Sequence, residues 1–285
     1  MLKILRLSMY LLGVVFAGTS VVACTQGKIP YVGTSVSDNT ENTTQYTLKN
    51  EELSQDGDFR YELKEDKVLL KKYTGEQTVV EIPEMINDKE VRGIDARCFE
   101  NPHNENAVNT VKIPSTVSNI STMAFYNSKF LENIECADNM NYLSENGVLY
   151  TSDMISMVAY PENKADKQYT MPDSVKKIHN NAFSFCNHLE KVELSHNLEI
   201  IPDYAFAYNS AVQNVTAYGK VTHIGFASFC KCDNLKEIRL SETVENINDK
   251  AVMFCRKLES IRTNAENQTV REYAESIGVD FIVSS

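Results

Sequence analysis

The chain has 285 residues, 42% hydrophobic and 24% charged, an ordinary globular composition and long enough to bury a sizeable core. Its formal net charge is −11, and loss of an N-terminal leader carrying Lys3 and Arg6 would make it −13 (−11 − 2). So acidic a surface repels phosphate backbones and anionic headgroups, which excludes nucleic acid as the main partner and leaves an attached lipid as the only expected route to a membrane.

The first predicted element is a leader over 1–23. Lys3 and Arg6 form a short basic region, and Leu7 to Ala17 is an apolar run interrupted by Ser8, Tyr10 and Gly13. That run is too short to span a bilayer and fits the hydrophobic stretch of a signal peptide. The segment ends Val21-Val22-Ala23-Cys24, which resembles the lipobox of bacterial lipoproteins, so Cys24 is the expected lipidation site. The same segment also fits an ordinary signal peptide with an incidental Cys. Two or three acyl chains on one residue would suffice for stable anchoring. Thr25 follows the Cys in place of the Asp that marks inner-membrane retention, so the outer membrane or the cell surface is the expected location. Thr25-Gln26-Gly27-Lys28 is not an acidic export run, and the face on which the domain sits stays open.

From Cys24 to Gly57 the chain is rich in Ser, Thr, Asn and Gln and reads as a flexible tether, with an end-to-end span of roughly 30 Å as a random coil. An N-terminal cap is expected over 58–93. Phe59, Tyr61 and Leu63 alternate, Glu65-Asp66 turns, and Val68 and Leu70 alternate back, which predicts a β-hairpin.

The strongest pattern follows, over 94–264. Ile178, Ile201, Ile224 and Ile247 recur every 23 residues. Five residues on stand Phe183, Phe206, Phe229 and Val252, and further columns hold Leu189, Val212, Leu235 and Leu258, then Val192, Val215, Ile238 and Ile261. Two earlier units fit: Ile94, Phe99, Val108, Val111, Ile113, and Ile120, Phe125, Leu131, Ile134, Cys136. A single such unit cannot bury its apolar face, so the pattern predicts a stack of turns in which each column becomes a buried ladder. Leu189 to Leu194 alternates as a short strand, and Pro114 and Pro172 close strands where no ladder donor is needed.

Several stretches carry a resemblance. Ile113-Pro-Ser-Thr-Val-Ser-Asn-Ile-Ser-Thr-Met-Ala-Phe125, residues 171–189 and residues 229–240 resemble the BspA-like bacterial leucine-rich repeats. That resemblance implies a right-handed, β-rich α/β solenoid. It also implies that the insertion at about 137–171, with Asn146-Gly147-Val148-Leu149-Tyr150, is a hairpin between repeats. Residues 265–285, with Glu272-Tyr273-Ala274, would be a C-terminal cap. The family's implied use is surface adhesion and protein recognition. The sequence departs from the family pattern at its Ile-Gly position, where only Gly225 matches among the later units.

No catalytic chemistry is legible, and neither a cofactor nor a metal is expected. The five His lack metal-ligand spacing, and Cys230-Lys-Cys232 is not a Cys-x-x-Cys. Cys186, Cys232 and Cys255 share one column with Asn209. They read as structural thiols donating to a loop, with a disulfide or a metal as alternatives. Binding is expected on the outward residues of the sheet strands: Glu81, Lys112, Glu135, Glu193, Thr216, Arg239 and Arg262. The acid-to-basic order of the last five fits a polarised partner. Alternatively, Glu237 and Glu259 neutralise the two Arg. Tyr150 and Tyr160 of the insertion are a second candidate if exposed; if buried, they merely roof the repeat. The expected partner is a host or bacterial surface protein. A glycan would call for a row of exposed aromatics, and an envelope scaffold for a large apolar patch.

Overall fold

The computed structural model describes residues 53–101 and 107–284. The leader, Cys24, the tether up to residue 52 and His103 lie outside the described residues. The rest is a β-rich solenoid with one helix among the described residues.

Each turn of the regular part has the same plan. A two-residue strand such as His223–Ile224 leads into the buried ring Phe229, and a longer strand, Glu237–Leu240, follows. Neighbouring turns pair in parallel and in 23-residue phase, with Ile201 beside Ile224 and Val215 beside Ile238. The longer strands build a six-stranded sheet ordered Gln168–Thr170, Lys191–Glu193, Asn214–Ala217, Glu237–Leu240, Ser260–Thr263, Asp280–Val283. Alternation puts Val192, Val215, Ile238 and Ile261 inward, each at most 2% exposed, as a period-two strand requires.

The ring column stacks face to face. Phe183 and Phe206 lie 4.7 Å apart at 8°, and Phe206 and Phe229 5.3 Å apart at 10°. The backbone flanking each ring is left-handed at non-glycine residues, with φ 57° at Tyr204, 65° at Tyr208, 50° at Ala227 and 58° at Lys231. Bulky residues there cost about 1–3 kcal/mol each. The conformation turns alternate N–H groups toward the next turn: Tyr204, Phe206 and Tyr208 donate to the carbonyls of Phe226, Ser228 and Cys230 at 2.7–3.0 Å. Buried amides that would otherwise be orphaned are thereby satisfied. At Gly225 an added Cβ would lie 2.5 Å from Asp203 Oδ1, which accepts the Phe226 N–H, so glycine is required there by close approach.

The insertion is shorter than the sequence suggested. The hairpin comprises Tyr142–Glu145 and Val148–Thr151. Residues 156–171 form a repeat turn of their own: Met157 pairs with Ile178, Tyr169 with Val192, and Tyr160 stacks on Phe183 at 5.5 Å. Tyr160, Tyr169 and Met171 stand 23 residues before Phe183, Val192 and Leu194, so a Tyr and a Met hid an extra unit. The expected cap region likewise contains repeat-like pairing. Val68 pairs with Val91, Leu70 with Ile94 and Val80 with Val111, and Tyr73 packs against Phe99, tilted at 33°. Pairing also begins at Ser54–Asp56, ahead of the boundary at 58 drawn from composition.

Three consecutive residues of the hairpin, Val148, Leu149 and Tyr150, are at most 2% exposed. They divide two cores: Leu149 joins the one holding Phe99 and Phe125, whereas Val148 and Tyr150 join the one holding Phe183 to Phe229. At the C-terminal end, Asn267 caps the helix Gln268–Ile277 by accepting from Val270 N at 2.9 Å. Gly278, at φ 74°, ends it. Val270, Tyr273 and Ala274 close the core, and Asp280–Val283 adds the last strand.

Candidate recognition face

The outward column of strand residues is split by the hairpin. Glu81, Lys112 and Glu135 lie in register on a three-stranded sheet, with Lys112 Nζ 2.7 Å from Glu81 Oε1. Glu193, Thr216, Arg239 and Arg262 lie in register on the six-stranded sheet. The expected single ladder is therefore two. Thr170 also belongs to the second, beside Glu193, and stands 23 residues before it; that count was available in the sequence.

The charges on this sheet are largely internally paired. Glu237 lies two residues before Arg239 on the same strand and receives Arg239 Nε at 2.5 Å and Arg262 Nε, from the neighbouring strand, at 3.0 Å. Burial alone would push the Glu237 carboxyl up, but the two guanidinium groups outweigh it and hold it below the usual range. Glu259 takes no part in this pairing. Lys191 neutralises Glu193 at 2.6 Å. The face keeps an acid-to-basic order, muted by these pairs, with an excess of one positive charge at the Arg end.

Tyr150 and Tyr160, contact candidates only if exposed, are 2% and 3% exposed and belong to the core, the alternative in which they roof the repeat. Tyr160 fills the Phe column, and Tyr150 roofs the turn beneath it. Its hydroxyl meets that of Tyr169 at 2.5 Å, on the floor of a cleft of about 580 Å³. The cleft lies between the hairpin (Glu145, Val148, Tyr150) and the first strand of the six-stranded sheet. No sequence signal marked it.

A row of aromatics does exist, on the loop side of the turns. Tyr126 meets Phe185 edge-on at 5.3 Å, Phe185 stacks on Tyr208 at 4.8 Å and 4°, and Lys231 covers Tyr208 at 5.1 Å. The ring faces are thus turned on one another and on a cation, leaving edges outward. A sugar ring needs an open aromatic face, so this row is a poor glycan platform.

The thiols are free, among the described residues. Cys186, Cys232 and Cys255 point Sγ at the carbonyls of Tyr160, Phe206 and Phe229, the ring residues of the preceding turns, at 3.9, 3.1 and 2.8 Å. Burial pushes Cys98 up to about 12 and Cys136 to about 11, which keeps these thiols protonated and unreactive. Among the described residues no group of three or more His, Cys, Asp or Glu is placed to hold a metal.

Comparison with known proteins follows the same lines. The BspA-type leucine-rich-repeat region model matches in six copies, over residues 75–166 and 153–276. Among solved structures, a leucine-rich repeat protein from Eubacterium ventriosum is similar at 20% identity and TM-score 0.58, covering 73% of this chain and 66% of its own, just under two thirds. A leucine rich cell surface protein from Faecalibacterium prausnitzii is similar at 16% identity and TM-score 0.42, covering 80% and 98%. The pneumococcal vaccine antigen PcpA is similar at 13% identity and TM-score 0.46, covering 82% and 98%. No curated protein matches the sequence significantly.

Proposed function

Since the chain belongs to the BspA-type leucine-rich-repeat family, we propose that it is a cell-surface protein-recognition module that binds a partner protein and catalyses nothing. The observation that carries this reading is the outward column Thr170, Glu193, Thr216, Arg239 and Arg262. It lies in register on one parallel sheet whose Val192, Val215, Ile238 and Ile261 face inward. Such a face offers a rigid array of polar side chains spaced about 4.8 Å apart, with its charges already held in place by Lys191 and Glu237. Cys24 would carry the lipid that holds the module at the outer membrane or cell surface, and a host matrix protein fits as partner.

The test is binding of the protein to arrayed matrix proteins and glycans, with Arg239→Glu and Arg262→Glu in parallel. Protein binding lost in the double variant supports the reading. Glycan binding with protein binding absent overturns it. Anchoring is tested separately: radiolabelled palmitate should enter the wild type and not Cys24→Ser.

A further inference from the structure

The cleft beside the hairpin has one wall made of backbone. Gln168–Thr170 is the edge strand of its sheet and, among the described residues, pairs only with Lys191–Glu193. The parity of that pairing is fixed by two bonds, Lys191 N–H to Lys167 O at 3.1 Å and Met171 N–H to Glu193 O at 2.8 Å. In a parallel ladder, both polar groups of a given residue point to the same side, and residues alternate. Lys167, Tyr169 and Met171 therefore face the neighbouring strand, and Gln168 and Thr170 face the cleft. Their two N–H and two C=O groups have no backbone partner among the described residues. The edge of the three-stranded sheet, Asn133–Cys136, is treated differently: Ile134 N–H donates to Gly147 O of the hairpin turn at 3.0 Å. Gly147, at φ 80°, is held so close that a Cβ would lie 2.3 Å from Asn133 Oδ1. The hairpin thus covers one exposed edge and overhangs the other, joined to it by the Tyr150–Tyr169 hydroxyl contact and by no backbone bond among the described residues.

An unpaired edge is a template for another strand. The side chains around this one say what that strand should carry. Lys164 and Asp166 neutralise each other at 3.3 Å, and Asp166 also accepts from Tyr160 at 3.0 Å. Glu145, across the cleft on the hairpin, has no ion-pair partner among the described residues. The cleft therefore presents one free carboxylate above a floor of Tyr150 and Tyr169. We propose that Gln168–Thr170 is a strand-addition site for an extended, basic peptide segment of a partner protein, its backbone on the open edge and its Lys or Arg on Glu145. This deepens the reading of the chain as a protein-recognition module, and it locates the contact beside the charged column, at the Thr170 end.

The test uses the full chain and a fluorescein-labelled heptapeptide probe, Thr-Val-Thr-Lys-Thr-Val-Thr, read by anisotropy. A second probe carries Glu for Lys, and two more are N-methylated at alternate backbone nitrogens, one in each frame. Binding of the Lys probe is expected, with N-methylation in one frame weakening it at least tenfold and in the other leaving it within about twofold, because only one frame faces the edge. Thr170→Pro deletes an N–H that bonds nothing in the fold. It should keep the melting temperature and weaken the probe about tenfold. Glu145→Lys should reverse the preference from the Lys probe to the Glu probe. Equal effects of the two N-methyl frames overturn the proposal, as does no binding at probe concentrations near 1 mM, the weakest affinity worth the name. If the peptide fails while array binding still depends on Arg239 and Arg262, the site falls and the recognition module stands.

Discussion

On the N-terminal side of the Val148–Thr151 strand the stacked rings Tyr73, Phe99 and Phe125 follow one another at 26 residues; on the C-terminal side Tyr160, Phe183, Phe206 and Phe229 follow at 23. The columns are chemically alike; centroid spacings are 6.0 and 5.5 Å on the first side and 5.5, 4.7 and 5.3 Å on the second, so the regular stack is the closer one by a few tenths of an ångström. What the core demands is a ring, an Ile and a strand at fixed positions in space. Extra residues are tolerated in the connections, because lengthening a loop costs little. The closest ring contact, Phe183–Phe206 at 4.7 Å, lies within the stack of shorter turns.

That contrast can be broken by mutation. Phe206→Ala removes a fully buried ring from the middle of the regular stack and should cost about 4–5 kcal/mol in urea unfolding, the upper part of the range for a core aromatic. Phe125→Ala should cost about 3 kcal/mol, since Phe125 is 7% exposed and borders a cavity of about 20 Å³. Equal losses would mean that the two stacks are equally tight and that turn length is irrelevant. Next in size is Leu149→Ala, at about 2–4 kcal/mol. Its side chain lies in the N-terminal core, so hydrogen exchange should accelerate around Phe99 and Phe125 before it does around Phe206.

The repeat was legible because Ile, Phe, Leu and Val recur at one period, and burial enforces those types. The turn at 156–171 was missed where Met157 and Tyr160 stand in for Ile and Phe, although counting back 23 from Phe183, Val192 and Leu194 reaches Tyr160, Tyr169 and Met171. The left-handed positions Asn181, Tyr204 and Ala227 were invisible for a different reason. Hydrogen bonds to the next turn impose that backbone, so no glycine marks it. The charge pairing was half legible: Glu237 does neutralise the Arg pair, as its place in the sequence suggests, but Glu259, on the strand's flank, reaches neither. The cleft could not be read at all, since it depends on where the hairpin leaves an edge uncovered.

Two polar residues sharpen the comparison at the junction and within the regular half. Glu162 is 6% exposed and its carboxyl accepts from the amides of Asn127 and Ser128. Burial pushes it well above its ordinary 4.5. The folded state then holds a proton that the unfolded state releases, so this contribution is full below 4.5 and is lost as pH rises through the folded value. Glu162→Gln, which keeps the shape and removes the proton exchange, should stabilise the protein at neutral pH by on the order of 1 kcal/mol and flatten that decline. An unchanged pH profile of the melting temperature would show that the carboxyl is not strained. Asn209 occupies the column of Cys186, Cys232 and Cys255, but both its amide atoms are buried without partners. Asn209→Cys should place Sγ against the Phe183 carbonyl and gain about 1 kcal/mol by removing an unsatisfied polar group.

The smallest effect belongs to the charged face. Arg262→Ala leaves Glu237 still paired with Arg239, and the pair it removes is partly solvated, Arg262 at 29% and Glu237 at 14% side-chain exposure. The cost should be about 0.2–1 kcal/mol at neutral pH. Glu237 titrates below its ordinary 4.5, so the stability it contributes is present above 4.5 and is lost as pH falls through its folded value. The gap between wild type and Arg262→Ala should therefore close in acid. A gap that persists in acid, once Glu237 is protonated in the folded state, would mean that the Arg262 stem packs on the sheet and that its charge contributes nothing to the fold. In that case the guanidinium is held out for a partner and not for Glu237, which would strengthen the recognition role of the C-terminal half of the column relative to the paired Glu81–Lys112 triplet on the other side of the hairpin.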